Sequence, residues 1–315
     1  MIIKYKKMHN PSQNTKTANI GVVLTDPDDW TANAFLKNIR KRGANAIPIN
    51  LSTLSASISA SDFAIFNTDL KDILELDAII VRDVGISFAL EQISFKFDLL
   101  RLFETANIPV MNSPTAIQNA ANKFFSFYLF KQAQLPIPHT VITSDLDVAL
   151  KATKELEIAV AKPIFGSQGK GIVKLESTQP ELKLKLAALL KERGVLYLQQ
   201  FVPNPGRDIR VFVVGEEALG AIYRISQTGS FISNLSQGGT ALKCDLTEEM
   251  QALAVNAAKA VSADYAGVDL IEGDEGLFVL EVNATPSGKG IKLACGIDVT
   301  ERIIERMFER GLGSL

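Results

Sequence analysis

The chain has 315 residues, 47% of them hydrophobic and 22% charged, with 33 basic against 35 acidic side chains and a net charge of −2. That length supports two or three domains with their own cores, and the near-neutral balance argues against a general nucleic-acid or membrane-surface binder. No run approaches the roughly 18 consecutive apolar residues of a membrane helix, and Cys244 and Cys295 match no metal spacing and read as buried free thiols.

Residues 1–17 carry basic side chains without the apolar core of a signal peptide, and read as a disordered leader on a cytoplasmic protein. From 18 to 112 strand and helix alternate. NIGVVLT (19–25) predicts a buried strand, and DDWTANAFLKNIRKRG (28–43) a helix with an acidic cap, closed by Gly43. AIPIN, DAIIVRDVG and IPVMNS predict further strands, with helical spacing in SFALEQISFKFDLLRLFETAN before the last of them. This is an α/β pattern, a Rossmann-like βαβ domain with a parallel sheet. It lacks the G-x-G-x-x-G that a dinucleotide site requires after its first strand, which argues against nicotinamide or flavin chemistry.

The second part, 113–194, opens with SPTAIQNAANKFFSFYLFKQAQ, read as one long helix ending at LPIP (135–138). A strand (139–143), a helix (145–157), a strand into AKPIFGSQGKGIVKL (161–175), a strand out of it and a helix (179–193) follow. The third part, 195–315, begins at VLYLQQFVP and has antiparallel signals: the hairpins DIRVFVVGEEALGAIYRI and YAGVDLIEGDEGLFVLEVN, a helix (247–262) and a closing amphipathic helix (298–310).

There are two histidines; His9 lies in the leader and His139 reads as a strand-edge residue, so a histidine triad or histidine-built zinc site is excluded. Chemistry falls to Lys, Arg, carboxylates and an oxygen-bound metal. Asp269, Glu281 and Asn283 interrupt the apolar runs GVDLI and LFVLEVN. Oxygen-bearing side chains in such runs need a cation nearby, either a hard ion such as Mg²⁺ or a structural arginine, unless the strand ends in solvent. The two carboxylates share a sheet face if the hairpin loop is odd and centred on Glu275, or if a bulge has the same effect; an even loop would pair Asp269 with Leu280. Lys162 lies inside IAVAKPI and Lys123 in NAANKFFSF; each fits a salt-bridged core lysine or a charge placed for phosphate. The loop with Gly166, Ser167, Gln168, Gly169, Lys170 and Gly171 is not a Walker A sequence. It offers backbone N–H groups with little bulk, as a tight turn or as a flap over phosphate.

The segments AKPIFGSQGKGI, YLQQFVPNPGRDIRVFVVG, ISNLSQGG and GVDLIEG…FVLEVNATPSGKGI together resemble the ATP-grasp fold, specifically the RimK-type α-L-glutamate ligases, from about Asn19 to the C-terminus. The resemblance implies an N-terminal pre-ATP-grasp domain and two ATP-grasp subdomains with the boundaries above. It also implies ATP with Mg²⁺, two ions, which Mn²⁺ can replace. By the same resemblance Lys123, Lys162 and the 166–171 loop contact phosphates, Gln199, Gln200, Phe201 and Val202 line the adenine edge, and Asp208 holds the ribose. Arg210, Arg224 and Asn234 are the implied catalytic residues, and Asp269, Glu281 and Asn283 the implied metal triad. Many RimK-type members carry arginine two positions before the asparagine, where this chain has Ile232. That departure and TDPDDWTANAF resemble the subgroup similar to tetrahydromethanopterin:α-L-glutamate ligases. The expected partners are a small-molecule carboxylate acceptor and glutamate, with no nucleic acid or membrane, and the chain is compatible with a homo-oligomer. Glutamylation of a protein tail or carrier protein, phosphoryl transfer without amide formation, and a non-catalytic ATP-binding regulatory module stay open on sequence alone.

Overall fold

Short aliphatic runs build a parallel sheet at the N-terminal end of the computed structural model, which describes residues 17–67, 75–85, 89–166, 169–225 and 240–312. The chain divides into two compact units, Met1–Pro114 with Thr300–Leu315, and Thr115–Val299. In the first, β1 (Asn19–Val23), α1 (Trp30–Lys41), β2 (Asn45–Ile49), β3 (Ser55–Ile58), β4 (Phe63–Phe66), β5 (Ala78–Val81), α2 (Leu90–Thr105) and β6 (Val110–Met111) follow in order. The sheet order is β2-β1-β5-β6 with every pair parallel, and β3 and β4 form a separate antiparallel pair that the sequence did not suggest. Ile20, Val22, Val23, Ile79 and Ile80 are fully buried with Phe35, Ile39 and Phe103 from the helices, as expected for a sheet covered on its faces. Asp29 caps α1, accepting from the Ala32 N–H at 2.7 Å, and is gripped at both oxygens by Arg82 at 2.9 Å.

The C-terminal helix Val299–Met307 groups with this N-terminal unit, not with the third part to which its sequence position assigned it. Its buried face carries Ile303, Ile304 and Met307, and Thr300 accepts a buried hydrogen bond from Asn38 in α1 at 2.8 Å. An amphipathic helix docks where its apolar stripe is covered, whatever its distance along the chain.

The second unit contains α3 (Pro114–Ala121), α4 (Lys123–Gln132), β7 (Thr140–Thr143), α5 (Leu146–Leu156), β8 (Ile158–Lys162), β9 (Val173–Glu176), α6 (Leu182–Arg193) and β10 (Leu196–Gln200). There follow β11 (Arg207–Val214), β12 (Glu217–Ile225), β13 (Thr240–Cys244), α7 (Glu248–Ala260), β14 (Tyr265–Gly273), β15 (Gly276–Asn283) and α8 (Lys289–Cys295). The single long helix expected over 113–134 is two. Asn122 adopts an extended conformation between α3 and α4, and its side chain accepts from the Phe125 N–H at 3.1 Å. Asparagine is a strong N-cap, and this one restarts the helix at Lys123.

A four-stranded antiparallel sheet runs β7-β10-β8-β9, and a five-stranded one β13-β12-β11-β14-β15. Strand β10, read from sequence as opening the C-terminal part, is an inner strand of the four-stranded sheet. One face of that sheet is apolar: Ala159, Ala161, Leu196 and Leu198 pack with Ala149, Ala152, Leu182 and Leu186 of α5 and α6. The alternate residues, Thr140, Lys162, Tyr197 and Gln199, fall on the opposite face. Cys244 is buried and Cys295 only half-buried, both as free thiols, so the second is less enclosed than expected. Among the described residues no helix is long and apolar enough to cross a membrane.

Candidate active site

Two acids meet across the β14–β15 hairpin because of one extra residue. The turn is even: Gly273 pairs with Gly276, Ile271 with Phe278 and Leu270 with Val279. Continued unchanged, that register would set Asp269 opposite Leu280. A bulge between Asp269 and Leu270 skips Leu280, so Asp269 pairs with Glu281 and Gly267 with Asn283. The odd loop is therefore absent and the bulge does its work. The shift also breaks the alternation, so Glu281 and Asn283 do not continue the series of Leu277 and Val279.

Asp269 is buried, and burial alone would raise its carboxyl; Arg210 and Arg224 outweigh that and hold it below the usual carboxylate range. Arg210, its register partner on β11, donates through Nε and, at 2.9 Å, through Nη2. Arg224 on β12 reaches the same carboxylate at 2.8 Å and grips its own cross-strand partner Asp208 at 2.6 and 2.7 Å. Two acids and two guanidiniums thus form a neutral buried quartet, and both Asp208 oxygens have a partner. Gly267 makes this possible. A Cβ there would lie 2.8 Å from Arg210 Cδ and 2.9 Å from its Nη1.

Glu281 is more open, its side chain 34% exposed, with Lys123 Nζ at 3.8 Å. Asn283 accepts from the Thr285 N–H at 2.9 Å. Two neighbouring carboxylates and an amide oxygen are the hard donors that Mg²⁺ takes; Asp269 Oδ2 already accepts from both arginines, so its remaining lone pair is on Oδ1, while Glu281 has only the lysine beside it. Among the described residues no group of three His, Cys, Asp or Glu side chains is assembled, so a hard ion here would be completed by the amide, by phosphate oxygens and by water.

The four-stranded sheet supplies the second half. Lys162 Nζ donates to Gln199 Oε1 at 2.5 Å. Burial lowers its pKa to about 8; the charges of Glu281, Asp269 and Asp208 counter this, while Lys123 adds to it. Lys123, at the first position of α4 and nearly buried, donates to the Gly166 carbonyl at 2.9 Å. In the glycine loop Gly166, Gly169 and Gly171 have φ of 154°, 71° and 73°, values that side chains other than glycine's rarely allow. Arg193 holds the loop's far end through the Gly171 carbonyl at 2.8 Å, and Lys170 is exposed. Ser167, Gln168, Ile232 and Asn234 lie outside the described residues.

Along 199–202, Gln199 pairs within the sheet on both sides, and the Gln200 and Phe201 N–H groups donate to His139 and Ile158 carbonyls at 2.8 and 3.0 Å. Among the described hydrogen bonds the Val202 N–H has no such acceptor. The Asn204 amide donates to the Val202 carbonyl at 2.9 Å. Residues 19–117 match the RimK PreATP-grasp domain, and residues 120–307 the RimK-like ATP-grasp domain. The chain belongs to the RimK-like ATP-grasp family.

It is 43% identical over 316 residues to the tetrahydromethanopterin:alpha-L-glutamate ligase of Methanosarcina acetivorans, covering 91% of this chain and 97% of that one. The enzyme of the same name from Methanocaldococcus jannaschii is 36% identical over 293 residues, with 91% and 97% covered. Among solved structures, the ATP-grasp ligase PsnB complexed with a minimal precursor superposes with a TM-score of 0.72 over 94% of this chain and 99% of that one, at 22% identity. ATP-grasp ligases of this kind use ATP with Mg²⁺, and this RimK-like chain is an ATP-dependent carboxylate–amine ligase. Sequence reasoning had the acids and lysines of the site but missed Gly267, Tyr197, Thr140 and the Gln199 side chain. Only Gly267 carried a signal, as a glycine inside a strand pattern two residues before an acid.

Proposed function

We propose that this RimK-like ligase adds L-glutamate to the carboxylate of a tetrahydromethanopterin-type acceptor, at the expense of ATP. The observation that carries this reading is the 43% identity, end to end, with a ligase of that name. The acceptor carboxylate attacks the γ-phosphorus of ATP, giving an acyl phosphate and ADP. The glutamate amine then attacks the acyl carbon, and phosphate leaves.

The chain's contribution is positioning and charge neutralisation. Lys123 and Lys162 bind phosphate oxygens, exchanging the Gly166 carbonyl and the Gln199 amide for them. The 166–171 loop closes over the phosphates and keeps water from the acyl phosphate. The adenine edge meets the strand end at 200–202, with Val202 supplying the N–H, and Asp208 lies toward the ribose. Arg210 holds Asp269 through Nε and Nη2, Arg224 holds Asp208 through the same two atoms and Asp269 through Nη2, and each turns Nη1 toward the transferred group; Asn234 completes that end. Asp269, Glu281 and Asn283 would hold Mg²⁺, as two ions that Mn²⁺ can replace, and the metal would supply neutralisation of the phosphate charge.

Mass spectrometry of products after incubation with ATP, Mg²⁺, glutamate and an acceptor panel tests the reading. Glutamyl-extended pterin is the expected product, and glutamate on a peptide tail or carrier protein alone would replace the acceptor. Hydroxylamine in place of glutamate should trap a hydroxamate with matching ADP; a stable phosphorylated product instead would make the chain a kinase. ATP binding without ADP across the panel would make it a regulatory module.

A further inference from the structure

The Gln199 side chain is 2% exposed, and every polar contact it makes has a fixed direction. The Thr140 hydroxyl donates to the Pro138 carbonyl at 2.9 Å, so toward Gln199 its oxygen can only accept. Gln199 Nε2 donates to that oxygen at 3.3 Å and to the Tyr197 hydroxyl at 3.2 Å. Tyr197 is itself fully buried, with its ring edge-on to Phe127 at 5.8 Å. With both amide protons committed, Gln199 Oε1 faces Lys162 Nζ at 2.5 Å. The chain of donors runs one way, from Lys162 through Gln199 and Thr140 to a main-chain carbonyl.

We infer that the Gln199 side chain is a positioning residue, which aims the Lys162 ammonium at the nucleotide phosphates without neutralising it, and that Thr140 and Tyr197 set its orientation. The inference rests on Lys162 being a phosphate contact. A neutral acceptor matters because a carboxylate at the same place would form a charge-assisted bond and compete with phosphate for the ammonium. An apolar residue would leave the ammonium unaimed and without its partner. Thr140 would then be a second positioning residue, one step further out, although it touches neither nucleotide nor lysine.

The experiment measures the affinity of a non-hydrolysable ATP analogue with Mg²⁺ by calorimetry, together with turnover. Gln199→Glu and Gln199→Leu should each weaken binding about ten- to a hundredfold, the range of one hydrogen bond to a charged group. Thr140→Val should weaken it about two- to tenfold, while Thr140→Ser, which keeps the hydroxyl, restores it. Valine keeps the strand but takes an acceptor from the buried Gln199 amide, so a lower melting temperature is expected beside the loss, and Thr140→Ser should restore both. In a Lys162→Met background, Gln199→Leu and Thr140→Val should add nothing, because what they position is gone. Equal losses in both backgrounds, or wild-type affinity in Gln199→Leu, would overturn the inference. Unchanged affinity in Lys162→Met alone would instead remove Lys162 from the phosphates, and the inference with it. If the Gln199 variants do not fold, the Thr140 pair decides.

Discussion

The two antiparallel sheets of the second unit handle buried charge in opposite ways. In the five-stranded sheet the two buried acids have arginines: Asp208 and Asp269 are locked to Arg224 and Arg210 by contacts between register partners. In the four-stranded sheet Lys162 has only an amide, and its nearest carboxylates act through space. A paired charge is a rigid part of the scaffold, and breaking it leaves its partner buried and alone. A charge held by a neutral dipole is available to a ligand. One sheet locks its buried acids to arginines; the other leaves an ammonium open to a ligand.

The largest expected effect breaks the paired side. Asp269→Asn should leave Arg210 and Arg224 short of a full countercharge and destabilise the protein by about 3–5 kcal/mol, read as a lower denaturant midpoint. It should also abolish ADP release, since the metal ligand proposed above goes with it. Lys162→Met should do the reverse on stability. Burial has already lowered the Lys162 pKa, so the folded chain resists its charge at neutral pH, and removing it should leave the melting temperature equal or higher. Turnover should nevertheless fall about 10²–10³-fold, the usual loss of one preorganised electrostatic contact. If Lys162→Met unfolded the protein as readily as Asp269→Asn, the distinction between the sheets would be gone.

This asymmetry was only partly legible in the sequence. Period-two runs exposed the strands, and polar residues inside apolar runs singled out Asp269, Glu281, Lys162 and Lys123, because local pattern reports burial directly. The register did not follow from pattern. The Leu280 bulge is invisible in LFVLEVN, and an even turn read literally would have turned the acids apart. Nor could pattern show that Arg210 and Arg224 meet Asp269, since those pairings join strands up to about 60 residues apart. The one-helix reading of 113–134 failed because Asn122 lies within a helical run and its capping bond is a matter of side-chain direction. The same holds for the Gln199 side chain: the resemblance put 199–202 at the adenine edge, and nothing in LYLQQ pointed to a bond with Lys162.

Gly267 sharpens the comparison at intermediate size. The added Cβ of Gly267→Ala would press on Arg210 Cδ and Nη1 and, at 3.1 Å, on Pro286 Cβ. The expected cost is about 1–3 kcal/mol of stability, typical of overpacking, with turnover falling as Arg210 is displaced. ATP affinity should fall less than turnover, because Lys123 and Lys162 keep their places. A large drop in affinity with turnover preserved would reverse the assignment of the two sheets.

The smallest effect concerns pH, and its sign follows from the lysine's surroundings. In the free protein burial holds the Lys162 pKa at about 8, against the pull of Glu281, Asp269 and Asp208. ATP phosphates brought against the ammonium favour its charged form, so bound ATP must raise that pKa. Binding then takes up a proton wherever the free protein has lost one, and affinity should decline as pH rises through about 8. The decline can reach about tenfold per pH unit and ends at the pKa of the bound state. Below that range Lys162 is charged with or without ATP and contributes no slope. Calorimetry in two buffers of different ionisation enthalpy reads the proton directly, as a buffer-dependent heat near pH 8 that should vanish in Lys162→Met. A buffer dependence that survives in that variant would belong to another group, and Lys162 would then be charged throughout, held like the arginines of the other sheet.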